Sequence, residues 1–167
     1  MACVSASKWA PPSAQLVSIG FCSLGPTGSV YIPAPSGIVD APFRIGDTNI
    51  YQTIETDLPG SGCAEYPFNL PRAGNYVLQT TVNAPHTGAN SFFVNIDAEP
   101  QDPYMIWDIP VTTGYEQRVV SWRRNGTPTN NQFVPKVFNL TQGPHQLLIR
   151  GREAYTRLQS MTVTPYP

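Results

Sequence analysis

The chain has 167 residues and a net charge of −1, and only 13% of its residues are charged. That length suits one domain with its own core, and near-neutrality gives no general basis for binding nucleic acid or an anionic membrane. Its 18 prolines and 13 glycines argue against long helices and for many short strands joined by turns.

Residues 1–14 are rich in Ser, Ala and Pro and read as an arm. Gln15–Phe21 is a predicted strand, with Leu16 near one face and Val17, Ile19 and Phe21 on the other. Ser23–Gly28 is a Gly/Pro turn, so the expected division is an N-terminal arm, 1–28, and a β-sandwich domain, 29–167. Short strands are predicted at 30–32, 41–45 and 50–56. Ala64–Leu70 alternates, and Pro67 makes it an edge or bulged strand. Residues 75–83 form a long β-branched strand; further strands are predicted at 92–96, 104–109 and 116–123. Phe133–Leu140 leads through Thr141-Gln142-Gly143-Pro144 into His145–Arg150, which reads as a hairpin, and a strand follows at 157–163. Roughly ten to twelve strands at spacings of about eight to twelve residues predict an all-β fold, an antiparallel sandwich or jelly roll.

Charge is unevenly placed. Residues 1–117 carry ten acids and three bases, and residues 118–167 carry seven bases and one acid. Interleaving of early and late strands would neutralise the two sets; a basic face for an anionic polymer is the alternative. Residues 9–39 are uncharged, but five prolines interrupt them and no run of about 20 apolar residues occurs, which excludes a spanning helix there. The start, MACVSASKW, lacks the basic flank and apolar block of a signal peptide. Cys3, Cys22 and Cys63 form an odd set. One disulfide plus a free thiol, with Cys22–Cys63 tying the arm to the sandwich, and three buried thiols both remain open.

Asp97, Glu99 and Asp102 share one loop, from which a hydrolase acid–base pair could in principle be drawn, although loop acids of this density usually stay solvated. His86 and His145 belong to no metal-ligand pattern, so neither metal nor cofactor is expected. Asn125-Gly126-Thr127 and Asn139-Leu140-Thr141 match the glycosylation sequon.

Four passages in order resemble carbohydrate-binding modules of the family 6 and 35 type, which are galactose-binding-like jelly rolls. They are Ala64–Tyr76, with its apolar-Pro-x-Ala-Gly-x-Tyr turn; Asn90–Asp97; Met105–Asp108; and Phe138 through Gly143 and His145 to Gly151-Arg152-Glu153. The resemblance spans about residues 32–164 and implies a non-catalytic module that recognises a glycan, placed outside the cell or on its surface. It departs from the family at two places. The opening Glu-x-Glu strand that would hold a structural calcium reads Ile32-Pro33-Ala34-Pro35, and Gln159 stands where a final-strand Asp would sit. Calcium takes about six to eight oxygens with carboxylates among them, so no calcium is expected. The family's sugar-contacting Asn falls at Arg157, where a guanidinium could pair with a carboxylate or sulfate.

A sugar platform needs a flat aromatic face with a few fixed polar groups. The candidates are Tyr51, Trp107, Tyr115, Trp122, Tyr155 and Arg157, with Arg123 and Arg124 as a further basic rim; Trp107, which alternates within MIWDIP, is as suited to the core. The expected partner is a glycan, anionic if the arginines take part. The competing expectation is a structural subunit of a filament, sheath or virion surface that self-associates through residues 1–28 by adding a strand to a neighbour's sheet.

Overall fold

The computed structural model describes residues 28–123 and 133–167; the predicted strand at Gln15–Phe21, Arg124 and the sequon at Asn125 lie outside them. Twelve strands are found among the described residues: β1 Val30–Pro33, β2 Ile38–Asp40, β3 Arg44–Ile45, β4 Ile50–Tyr51, β5 Cys63–Leu70, β6 Gly74–Asn83, β7 Ser91–Ile96, β8 Ile106–Asp108, β9 Glu116–Val119, β10 Phe138–Leu140, β11 Gly143–Gly151 and β12 Arg157–Pro165. One short 3-10 turn, Ala34–Ser36, is the helical content of these residues, and none of their helices is long and apolar enough to cross a membrane.

The strands make two antiparallel sheets. The seven-stranded sheet runs β10-β6-β12-β4-β3, with β1 also beside β12 and β9 beside β6; the five-stranded sheet runs β2-β5-β11-β7-β8. Alternation along the strands fills the space between them. Tyr76, Leu78 and Val82 of β6 and Leu158, Met161 and Val163 of β12 meet Tyr66, Phe68 and Leu70 of β5 and Leu147 and Ile149 of β11 in one buried cluster. Period-two patterning of this kind fixes register, because a one-residue slip would turn every core residue out to solvent. The expected all-β sandwich is therefore the observed fold.

The predicted hairpin of residues 133–150 is not a hairpin. β10 pairs with β6 in one sheet, whereas β11 pairs with β5 and β7 in the other. Between them Thr141 and Gln142 carry the chain across the sandwich, and Gly143, at φ +118°, adopts a backbone open chiefly to glycine. Turn chemistry marks a reversal without saying which sheet receives the next strand. Strand β10 is also short: before it, Pro135 makes an isolated bridge to Ser121 and Lys136 N donates to Val120 O at 2.8 Å, outside the ladder with β6. At Pro67 the reading holds: among the described strands β2 covers β5 only from Cys63 to Glu65, so Pro67 lies past the end of β2, where a missing N–H costs no bond to it.

Interleaving also joins acids from the first part of the chain to bases from the last. Arg123 forms a bidentate pair with Asp108, Arg150 Nε lies 3.8 Å from Glu99, and His145 Nδ1 lies 2.6 Å from Asp97.

Candidate functional site

Strand directions bring a particular set of loops to one end of the sandwich. The registers Arg157↔Asn83, Arg157↔Tyr51, Ser91↔Asp108 and Glu116↔Val82 put the start of β12, the end of β6, the end of β4 and the start of β9 together. Three of the six predicted residues, Tyr51, Tyr155 and Arg157, are brought together here, and Tyr115 lies at the same end beside β9.

The centre of the arrangement is one row across the seven-stranded sheet. Asn83 faces Arg157, Arg157 faces Tyr51, and Tyr51 faces Arg44. Directly opposed residues share a face, so an amide, a guanidinium, a phenol and a second guanidinium stand side by side, at about 4.8 Å per strand. The Arg157 guanidinium lies over the Tyr51 ring, 4.9 Å from its centroid, an attraction worth about 0.5–1 kcal/mol where exposed. Among the described residues neither Arg44 nor Arg157 has a carboxylate within ion-pairing distance.

Tyr155 completes the group. It is 51% exposed and has φ +64°, a left-handed backbone that is a genuine outlier for a bulky residue and persists only when its surroundings impose it. The imposing contact is a hydrogen bond from Tyr155 N to Gln52 O, 2.8 Å. Gln52 is itself fully buried, and its Nε2 donates to Ile54 O, Thr56 Oγ1 and Arg152 O at 2.8, 2.9 and 3.1 Å. One amide thus braces the loop after Tyr51 against the loop that carries Tyr155.

The other aromatics are placed differently. Trp107 is fully buried, tilted against Phe92 at 6.3 Å, and cannot form a sugar platform. This corrects its candidacy: Phe92 and Trp107 are partners across β7 and β8, and both belong to the core. Trp122 packs on the core from a partly buried position, donates from Nε1 to Val94 O at 2.8 Å, meets Phe138 edge-on, and has Lys136 Nζ 4.2 Å from its ring centroid. Its N–H and one ring face are thus engaged within the domain. Burial lowers the Lys136 pKa. Arg123 is taken up by Asp108, a hydrogen bond that holds its pKa above the ordinary value.

Two acids of the acidic loop, Asp97 and Glu99, make structural contacts. Asp97, at φ +63°, accepts from Gln146 N through Oδ1 and faces His145 through Oδ2, while His145 Nε2 lies 2.8 Å from Thr141 O. No group of three His, Cys, Asp or Glu is placed to hold a metal among the described residues. At the calcium position of the resembling family, Gln159 Nε2 donates to Thr48 Oγ1 at 3.1 Å, and Ile32 is buried in the core. These residues do not fit the cation. A cleft of about 340 Å³ is lined by Phe93, Ile106, Arg123 and Arg152 with Thr56 and the acids Glu55, Asp57 and Asp102, and by none of the candidate tyrosines. Both of its guanidiniums are already engaged, Arg123 by Asp108 and Arg152 by Glu153 and Ser91.

Against solved structures, the chain superimposes on a family 35 carbohydrate-binding module from Clostridium thermocellum at TM-score 0.51 and 15% identity, over 83% of this chain and 98% of that one. It superimposes on the C-terminal family 6 module of a laminarinase from Zobellia galactanivorans at TM-score 0.55 and 16% identity, over 81% and 98%. The fold is that of a family 6/35 carbohydrate-binding module. A Podospora anserina mannanase carrying a family 35 module matches at TM-score 0.51 and 12% identity; 84% of this chain aligns with 28% of that enzyme. No family model matches the chain, and no curated protein matches it.

Arg44, Asn83 and Gln52 were missed from the sequence. Arg44 is one of only three bases before residue 118, a signal that could have drawn attention to it. Asn83 and Gln52 gave none, because their roles depend on which strands lie beside theirs.

Proposed function

We propose that this chain is a non-catalytic, extracellular or cell-surface module that binds an anionic glycan at the end of the sandwich that carries Tyr51 and Tyr155. The observation that carries the reading is the row Arg44, Tyr51, Arg157 and Asn83, in which two guanidiniums, without carboxylate partners among the described residues, flank an aromatic ring. A guanidinium offers a rigid fork of donors that matches a carboxylate or sulfate. Tyr155 supplies an apolar face for the C–H side of a sugar ring, and the Asn83 amide suits a hydroxyl. The bracing by Gln52 supports the reading, because groups held in place before binding lose less entropy when the ligand arrives. The disulfide at Cys63 supports an oxidising compartment.

The test is calorimetric titration with acidic and neutral oligosaccharides at low and high salt. An acidic ligand is expected to bind, and Arg157→Ala to weaken it by roughly 10–100-fold, the loss of one charge-assisted contact of about 1.5–3 kcal/mol. Tyr155→Ala should weaken acidic and neutral ligands alike. Equal affinity of wild type and Arg157→Ala for every acidic ligand would overturn the assignment.

A further inference from the structure

The row that carries the proposed site also fixes a spacing. Arg44 of β3 stands opposite Tyr51 of β4, and Tyr51 stands opposite Arg157 of β12. The two arginines are therefore two strands apart on one face, about 10 Å at ~4.8 Å per strand. The Arg157 guanidinium lies 4.9 Å from the Tyr51 ring centroid, close to one strand spacing, so it stays above its own strand instead of folding across the row. Arg44 is exposed, on a strand that is an edge of the sheet among those described. Between the two charges the row holds a neutral phenol, and beyond Arg157 comes the neutral amide of Asn83. From the edge inward the order is cation, neutral ring, cation, neutral amide.

Resting on the reading of this row as the binding site, the geometry points to a linear polysaccharide that carries an acidic group on every second sugar. An extended pyranose chain advances by about one strand spacing per sugar, so a chain laid across the strands places successive rings over successive strands. Arg44 and Arg157 then meet the first and third rings, where their planar donor forks suit a carboxylate or a sulfate. Tyr51 meets the second ring. An acidic group there would leave water for a position whose own strand offers no cation, a cost that a neutral hydroxyl does not bear. Asn83 meets the fourth ring, where its amide suits a hydroxyl. A chain with an acid on every sugar loses at the second and fourth positions what it gains at the first and third, and a neutral chain gives neither guanidinium an anion. The recognised unit is one acidic and one neutral sugar, read twice.

Titration calorimetry on the full chain at fixed salt tests the alternation. Two probes are tetrasaccharides with an acid on every second sugar, one from hyaluronan with carboxylates and one from κ-carrageenan with sulfates, each run beside its single-acid disaccharide. A galacturonate tetrasaccharide, with an acid on every sugar, is the third. One alternating tetrasaccharide should bind more tightly than the galacturonate, and which of the two binds tells carboxylate from sulfate. Arg44→Ala should weaken that ligand roughly 10–100-fold, the loss of one charge-assisted contact, and change its disaccharide little, because one acid needs only Arg157. Arg44→Lys keeps the charge without the fork and should recover part of the loss, with the melting temperature of both variants unchanged. If Arg157→Ala weakens an acidic ligand and Arg44→Ala does not, or if the galacturonate binds as tightly as the alternating chains, the alternation is overturned while the site stands. If no acidic ligand binds the wild type, the site reading fails and takes the alternation with it.

Discussion

Gly151, the last residue of β11, offers a sharp test of how the candidate site is held. A Cβ built there would lie 2.5 Å from Gln52 Cδ and closer still to Oε1, whereas carbon atoms pack at about 3.5–4.0 Å. Gln52 is fully buried, so Gly151→Ala must push its amide off its three acceptors. Overpacking costs about 1–3 kcal/mol and each displaced hydrogen bond about 1 kcal/mol net. With partial relaxation, about 3 kcal/mol is expected, or roughly 6–12 °C in melting temperature for a domain of this size. Thermal and urea unfolding followed by circular dichroism would measure it. Shortening the partner supplies the control: in a Gln52→Ser background, Gly151→Ala should add less than about 0.5 kcal/mol, because the two sites are coupled only through the clash. A Gly151→Ala protein that melts within about 2 °C of wild type, or one that loses as much in both backgrounds, would refute the brace.

Trp107→Ala should cost about 3–5 kcal/mol in urea unfolding, the value for emptying a fully buried indole; a loss below about 1 kcal/mol would return Trp107 to the surface. Glu116 makes a pH prediction. The backbone N–H of Thr113 and then the guanidinium of Arg118 hold its carboxyl below the ordinary range. Because the folded value is depressed, this contribution is complete above the unfolded pKa and is lost as pH falls through the folded one. The difference in urea midpoint between wild type and Glu116→Gln should therefore shrink on acidification; a constant offset from neutral to acid pH would remove Glu116 as its source.

Much of the sandwich was legible because alternation is a local signal. Tyr76, Leu78 and Val82 announce their buried face without reference to any partner. Sheet membership was not legible: nothing in Thr141–Pro144 tells a hairpin from a crossing, since both need a tight reversal and only the pairing of Phe138 with Tyr76 decides between them. The site divided in the same way. Tyr155 and Arg157 could be picked out by residue type, and Arg157 by its position relative to a resembling motif. Trp107 misled, because an aromatic in a short alternating strand has the same local pattern whether it faces solvent or core. Arg44 and Asn83 became visible only once β3, β4, β12 and β6 were adjacent.

The position of β12 has a consequence for how the domain is made. This strand comes latest among those described, yet it lies inside the seven-stranded sheet, between β6 on one side and β1 and β4 on the other. A ribosome releasing the chain from its N-terminus therefore produces β1, β4 and β6 without the strand that joins them, so the sheet cannot close until residues 157–165 have emerged.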